Sequence, residues 1–321
     1  MTNLPPAGTR GARNHTARRF PGRQAARRAL LLTVGAILAA AALAGAADPA
    51  PPDRILCSVF PIHALTRDLI AGTPIRADLL LPAALGCPHH YSLTPADLQK
   101  LSQARALFCL GLGFEPFLDR LATTASLPVV LAGEGFPDLL GEAGNPPNAH
   151  VFTTPTGLAH LAATLGHRLR TLFPAHQAAL DDNAARLLAG LASQTAAWTE
   201  AAQRWTGTPV LLAHDSLEYL ARDLRLRVVG RLATGDTAAL SAREMIDLMR
   251  IIREQRPVAI LADSQEPSPA AQTLAREAGL PLVALDTLAL GPDPLPAGFV
   301  LTTLADDLAR LSACFPQAGS R

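Results

Sequence analysis

Residues 86–98, GCPHHYSLTPADL, form a short polar stretch between two prolines that leads into a helical pattern. Each proline disfavours helical backbone in the residue before it, so the stretch is held extended. Thr94 is a suitable N-cap, and Pro95 then takes the first helical position, where its missing N–H costs nothing. The pattern predicts a stiff loop that presents the imidazoles of His89 and His90, and imidazole is the commonest metal ligand in proteins.

Residues 1–47 have the features of an export signal. They contain seven arginines and no acidic residue, followed by the apolar run ALLLTVGAILAAAALAGA and small residues suited to cleavage near Ala46 or Ala47. The apolar run is near the length of a membrane-spanning helix, which leaves a membrane anchor as the alternative. The alanine content and the small residues at its end favour cleavage and an exported mature protein.

Charge and cysteine content exclude several classes of protein. The chain has 28 basic and 27 acidic residues, and removal of the seven signal arginines leaves 21 against 27, a net charge of −6. Such a balance disfavours nucleic acid and anionic membranes as partners. Cys57, Cys87, Cys109 and Cys314 are widely spaced, which excludes zinc-finger and thioredoxin motifs. Pairing among Cys57, Cys109 and Cys314 stays open, since spacing does not determine disulfide geometry.

Apolar runs alternate with helical patterns through the remaining chain, which predicts an α/β fold with mostly parallel sheets flanked by helices. The runs are 54–60, 77–81, 104–110, 127–131, 209–213, 225–229, 257–262 and 280–285. Ser241 and Glu244 have the spacing of a capping box at the start of a helix. The two groups of runs predict two similar lobes.

The longest helical pattern runs from Pro174 to Trp205, with one apolar and one polar face. At about 1.5 Å per residue it spans roughly 45 Å, enough to join two lobes as a spine. An amphipathic helix within one domain is the alternative. The predicted organisation is a signal peptide at 1–47, an N-terminal lobe at 48–173, the linking helix at 174–206 and a C-terminal lobe at 207–321.

Four side chains from the two lobes are candidate metal ligands. His214 and Asp286 each follow an apolar run directly, so both are expected at the carboxyl ends of strands, where ligands of α/β sheets bind. His89 and His150 come from loops of the first lobe. Three neutral imidazoles and one carboxylate suit a tetrahedral zinc site in the cleft between the lobes.

The same segments resemble the zinc- and manganese-specific solute-binding proteins of bacterial ABC importers. GCPHHYSLTPAD is similar to the family's first ligand segment, in which the ligand corresponds to His89 and the variable position to His90. His150 lies in HVFTTP, His214 in HDSLEYL and Asp286 in LDTL, all in the family's order. Cys87 departs from the family, which usually has an acidic or small residue there.

The resemblance implies a periplasmic zinc-binding protein, a monomer and not an enzyme, that delivers its ion to an inner-membrane ABC permease. Manganese is the alternative ion, but the family's manganese binders usually carry a carboxylate where His214 stands. Asp215, Asp263 and Glu266 are expected to orient the imidazoles. The alternatives from other classes are a zinc hydrolase with Asp286 as base, although no HExxH is present, and a binder of a chelated ligand or haem.

Overall fold

The computed structural model describes residues 53–82, 91–117, 127–141, 146–232 and 240–315. The strands are β1 (Arg54–Cys57), β2 (Arg76–Leu79), β3 (Ala106–Cys109), β4 (Val129–Leu131), β5 (Pro209–Leu212), β6 (Arg227–Arg231), β7 (Ala259–Asp263) and β8 (Leu282–Leu285). The helices are α1 (Phe60–Leu69), α2 (Pro95–Ser102), α3 (Pro155–Leu172), α4 (Gln177–Trp205), α5 (Glu218–Asp223), α6 (Ala242–Gln255), α7 (Pro269–Ala278) and α8 (Phe299–Cys314). Short 3-10 turns cover Val151–Thr153, Pro174–His176 and Asp215–Leu217.

The part of the chain before α4, here called the first half, is built on a parallel sheet of order β2-β1-β3-β4. The central strands β1 and β3 are almost wholly apolar and buried, as expected for a parallel sheet covered on both faces. Cys57 at the end of β1 pairs with Leu79 on one side and Phe108 on the other. The carboxyl ends of these strands therefore meet at one edge of the sheet.

The part of the chain after α4, here called the second half, repeats this arrangement in a parallel sheet of order β6-β5-β7-β8. The structure confirms the predicted α/β fold with two similar parallel sheets, and each strand lies within a few residues of its apolar run. Most strands are shorter than their runs, because each strand ends where its pairing with the neighbouring strand ends. The capping box at Ser241 and Glu244 is also confirmed at the start of α6.

The long helix α4 lies between the two halves and contacts helices of both. It packs against α1 and α3 of the first half and against α5 and α8 of the second. Leu180, Leu187, Leu191 and Trp198 form its buried face. The predicted helix begins at 174, but residues 174–176 form a separate 3-10 turn before α4 starts at Gln177. The domain boundaries at 173 and 207 stay predictions.

The described residues belong to one compact unit, and its main hydrophobic core takes residues from both halves and from α4. Cys57 and Cys109 are buried free thiols within this core, and Cys314 is also free. Burial raises the pKa of Cys57 to about 12, so this thiol stays protonated and unreactive. In the described part of the chain, no helix combines the length and apolar character needed to cross a bilayer.

Candidate metal site

A cavity of about 60 Å³ opens between the carboxyl edges of the two sheets. Phe60, Phe114 and Phe152 of the first half supply much of its apolar wall. Its polar side chains include His150 from the first half and His214 from the second. The cavity therefore lies where the sequence predicted a binding cleft, and each half contributes one imidazole to it.

His150 precedes the 3-10 turn Val151–Thr153, and its ring is packed between aromatic side chains. The ring centroid lies 5.4 Å from that of Phe114 in an edge-on arrangement and 5.8 Å from that of Phe152. Only 12% of the side chain is exposed. The turn itself leads into α3, where Thr154 caps the helix by accepting a hydrogen bond from the Gly157 N–H. The start of α3 thus determines where His150 stands.

His214 lies two residues beyond the end of β5, at the carboxyl edge that the sequence predicted, and acidic side chains lie near both nitrogens of its ring. Its Nδ1 lies 3.0 Å from a carboxylate oxygen of Asp215 and 3.0 Å from the backbone N of Ser216, and its Nε2 lies 3.9 Å from Glu266. The two contacts at Nδ1 are alternatives, because donation to Asp215 needs a protonated nitrogen and acceptance from Ser216 needs an unprotonated one. Donation to Asp215 leaves the Nε2 lone pair for a metal.

The imidazoles of His150 and His214 come together with Asp215 as a candidate metal-binding group. The ring centroids lie 5.7 Å apart and nearly perpendicular, and one ligand atom from each of the three residues lies within 4.8 Å of the others. Two imidazoles and a carboxylate are donors that zinc favours. Asp215 was predicted to orient an imidazole, and it lies near both rings, at 3.0 Å from His214 and 4.0 Å from His150.

Two of the predicted ligands, His89 and Asp286, are not part of this group as the described residues form it. His89, together with Cys87 and His90, lies outside the described residues. Asp286 follows β8 as predicted, but its Oδ1 accepts hydrogen bonds from the Gln265 side chain and the Leu288 N–H. Both His89 and Asp286 stay predictions as ligands.

The acidic residues on the cavity wall from the second half are Asp263 and Glu266. Burial raises the pKa of Asp263, although the Thr287 hydroxyl donates a hydrogen bond to its carboxylate. Burial likewise raises the pKa of Asp286. Both were named from the sequence, Asp263 as an orienting group and Asp286 as a ligand; Asp263 is buried and Asp286 is half-buried.

Sequence reasoning missed two polar residues that shape the first-half wall. Glu115 is buried and accepts hydrogen bonds from the Ser58 hydroxyl and the Leu110 and Gly111 N–H groups, which anchors the loop carrying Phe114. Burial raises the pKa of Glu115. Asn148 contacts both His150 and the second half. In the sequence, Glu115 stands out as an isolated acidic residue that follows Gly111 and Gly113. Asn148 stands out only by its position two residues before His150.

Together, the fold and the site define a two-halved α/β binding protein with metal-type donors in the cleft. Residues 55–300 match the family described as zinc-uptake complex component A, periplasmic, and the chain belongs to this family. Its members are periplasmic metal-binding solute-binding proteins of uptake systems.

Known proteins resemble the chain over most of its length. A putative metal-binding protein of Thermotoga maritima is 26% identical over 73% of this chain and 84% of its own. The high-affinity zinc uptake system protein ZnuA of Haemophilus ducreyi is 22% identical, with the same shares of the two chains covered. The nickel complex of the solute-binding protein FpvC from Pseudomonas aeruginosa superposes with a TM-score of 0.71 at 20% identity, covering 84% of this chain and 98% of FpvC.

Proposed function

We propose that this protein binds zinc in the periplasm and delivers it to an ABC permease of the inner membrane. The observation that carries the proposal is the convergence of His150 and His214, one from each half, on a small cavity beside Asp215. Neutral imidazole and carboxylate are the donors zinc prefers, and an apolar wall excludes competing water. The net charge of −6 without residues 1–47 is also compatible with a cationic ligand.

The full ligand set we propose is His89, His150, His214 and Asp286. Three imidazoles and one carboxylate would complete a tetrahedral site, with Asp215 orienting His214 through Nδ1. Zinc suits this set better than manganese, which prefers more oxygen ligands. Similar proteins involve more than one ion, since ZnuA is named for zinc uptake and FpvC has been solved in complex with nickel and with manganese, so selectivity must be measured. The proposed role is carriage of the ion as cargo, with the mature protein a monomer and residues 1–47 removed.

Isothermal titration of metal-free protein with zinc, nickel and manganese tests the proposal. We expect one zinc ion per chain, with a dissociation constant below micromolar and weaker binding of manganese. His150→Ala and His214→Ala should each weaken zinc binding at least tenfold, because each removes a ligand. Comparison of His89→Ala, Asp286→Ala and Asp215→Ala identifies the remaining ligands.

The matched control is His167→Ala, an exposed histidine on α3 that does not line the cavity. It should bind zinc as the unmodified protein does. Zinc binding weaker than micromolar, or unchanged in both His150→Ala and His214→Ala, would contradict the proposal. Steady hydrolysis of an ester or peptide by the zinc-loaded protein would instead favour an enzyme.

A further inference from the structure

The side chain of Asn148 makes four hydrogen bonds at the boundary between the halves. Its Oδ1 lies 2.9 Å from the backbone N of His150 and 2.9 Å from the Nδ1 of the same residue. Its Nδ2 lies 2.9 Å from the Asp215 carbonyl oxygen and 3.0 Å from a carboxylate oxygen of Glu218. An asparagine amide has two donor hydrogens and two acceptor lone pairs, so this side chain is fully used.

These four partners determine which way the amide points. The backbone N–H of His150 can only donate, while the Asp215 carbonyl and the Glu218 carboxylate can only accept. In the reversed amide, the NH2 group would face the His150 N–H, and the oxygen would face the oxygens of Asp215 and Glu218. None of these contacts could then be a hydrogen bond. The oxygen of Asn148 therefore faces His150.

The amide orientation in turn determines the tautomer of His150. Because Oδ1 can only accept, the nitrogen facing it, Nδ1, must carry the proton. In the neutral imidazole the lone pair is then on Nε2, the nitrogen on the other side of the ring. Metal-binding histidines are commonly held in this way, by a hydrogen bond from the second nitrogen to a carbonyl or carboxylate.

The same side chain joins His150 to the second half. Asp215 begins the 3-10 turn that precedes α5, and Glu218 is the first residue of α5 and also forms an ion pair with Arg231 at 2.6 Å. Beside this link, the Tyr219 hydroxyl donates to the Asn148 carbonyl at 2.8 Å and accepts from the Leu140 N–H at 2.9 Å. Groups of the second half thus reinforce the orientation of a first-half imidazole.

We propose that Asn148 is a positioning residue that holds His150 in the Nδ1–H tautomer, so that Nε2 is the metal-binding nitrogen, and that its hydrogen bonds to the second half reinforce this orientation. The effect of Asn148 on metal affinity rests on the proposed function. The tautomer of His150 does not, because it can be observed in metal-free protein. Asn148 accepts hydrogen bonds from His150 and donates hydrogen bonds to the second half. These two roles can be separated by substitution, because the amide oxygen serves the first and the amide nitrogen the second.

Two substitutions separate the roles. Asn148→Ala removes the acceptor for His150 and the donors for the second half. Asn148→Asp keeps an acceptor for Nδ1–H but replaces the donors with a carboxylate oxygen facing Glu218. The matched control is Asn183→Ala, since Asn183 is a buried asparagine whose side chain likewise donates to backbone carbonyls, those of Leu69 and Ala71, outside the cavity.

The first measurement is the tautomer of His150 in metal-free protein, read from long-range proton–nitrogen NMR correlations of the imidazole. We expect Nδ1–H in the unmodified protein, in Asn148→Asp and in Asn183→Ala, and loss of this preference in Asn148→Ala. An Nε2–H tautomer in the unmodified protein, or an unchanged tautomer in Asn148→Ala, would overturn the proposal.

The second measurement is zinc affinity by titration of the same folded variants. Loss of a residue that orients a ligand typically weakens metal binding 10- to 100-fold, and we expect about this loss in Asn148→Ala. Asn148→Asp should recover part of it, and Asn183→Ala should bind normally while unfolding more easily. Normal affinity in Asn148→Ala would overturn the proposal. If the unmodified protein binds no zinc, the proposed function fails, while the tautomer measurement still decides the role of Asn148.

Discussion

Asp307 on α8 holds the loop after β8 through a buried carboxyl group. Both of its oxygens lie near the backbone N of Asp286, at 3.1 and 3.0 Å, and Arg310 donates to it at 2.9 Å. Burial nevertheless raises its pKa to about 7, because desolvation outweighs these interactions. A carboxyl group that titrates near neutrality in the folded protein makes stability depend on pH.

The sign of this dependence follows from the raised pKa. The folded protein holds the Asp307 proton more tightly than the unfolded chain, so the contribution is complete below about pH 4 and is lost as the pH rises through about 7. We expect the free energy of unfolding of metal-free protein to fall by roughly 1 to 4 kcal/mol over this range, at 1.36 kcal/mol per pKa unit. Denaturant unfolding at pH 5 and pH 7.5 measures it.

Asp307→Asn should remove this part of the pH dependence, because the amide oxygen can still accept from the Asp286 N–H but no longer titrates. Asp306→Asn is the matched control, an exposed aspartate on the same helix. It should keep the slope of the unmodified protein. The assignment to Asp307 fails if Asp307→Asn and Asp306→Asn have the same slope.

At the residue scale, His150 and His214 lie close together, as expected from the sequence, and their role as metal ligands stays a prediction. His214 was found because a polar residue directly after a buried parallel strand must lie at the ligand-binding edge. The hydrogen bonds of Asn148 to Asp215 and Glu218 could not be predicted, since they join residues 67 and 70 positions apart whose approach depends on the packing of both halves. The hydrogen bonds that join Asp286 to Gln265 and Asp307 could not be predicted for the same reason, because they too depend on how distant segments pack.

The first turn of α3 is the element that places His150, and it depends on a glycine. A Cβ at Gly157 would lie 1.8 Å from the carbonyl oxygen of Val151, which belongs to the 3-10 turn after His150. No side-chain rotation relieves this contact, because the atom it meets is backbone. Helix and turn fit together only when residue 157 lacks a side chain.

Gly157→Ala should therefore shift the turn and the imidazole with it. We expect a loss of roughly 1 to 3 kcal/mol in unfolding free energy, the usual cost of overpacking, and zinc binding weakened at least tenfold. Unfolding in denaturant and zinc titration measure the two effects.

Gly166→Ala is the matched control on the same helix. Its Cβ would meet Ala184 and Leu69 at 3.5 and 3.7 Å, which are ordinary contacts. Alanine also favours helix over glycine by roughly 1 kcal/mol, so this variant should be at least as stable as the unmodified protein and should bind zinc normally. Equal zinc affinities in the two variants would show that the turn does not position His150.

At the element scale, local signals predicted most of the secondary structure. Thr94 and Ser241 cap α2 and α6 as expected, because capping involves residues within one turn of each other. Strand ends were less accurate, since a strand ends where its hydrogen-bonded neighbour ends and not where its apolar run does. Thus the run 104–110 gives a strand only at 106–109, between β1 and β4.

At the scale of the whole molecule, a metal held by both halves should stabilise the folded chain. A ligand that binds only the folded state adds about 2.7 kcal/mol to the free energy of unfolding when its concentration is 100 times the dissociation constant. We expect this increase with zinc, measured by denaturant unfolding in a zinc buffer and in excess chelator.

His214→Ala should lose most of this zinc-dependent stabilisation at the same free zinc concentration, while His167→Ala should keep it. An equal increase in His214→Ala would place the bound zinc elsewhere on the protein.

The two parallel sheets and the long helix were predicted from sequence. The fit of the halves against each other was not, because it depends on side chains such as Tyr219 that meet partners from the other half.

Tyr219 has one more consequence. Residues 140 and 148 precede α4 in the chain, yet the hydroxyl to which their backbone groups bond belongs to a helix beyond it. The point in the sequence where the chain passes from one sheet to the other is therefore not a boundary between separate parts of the folded structure. A cut in α4 would sever the connection in sequence, but each fragment would still carry backbone groups whose hydrogen-bonding partners belong to the other fragment.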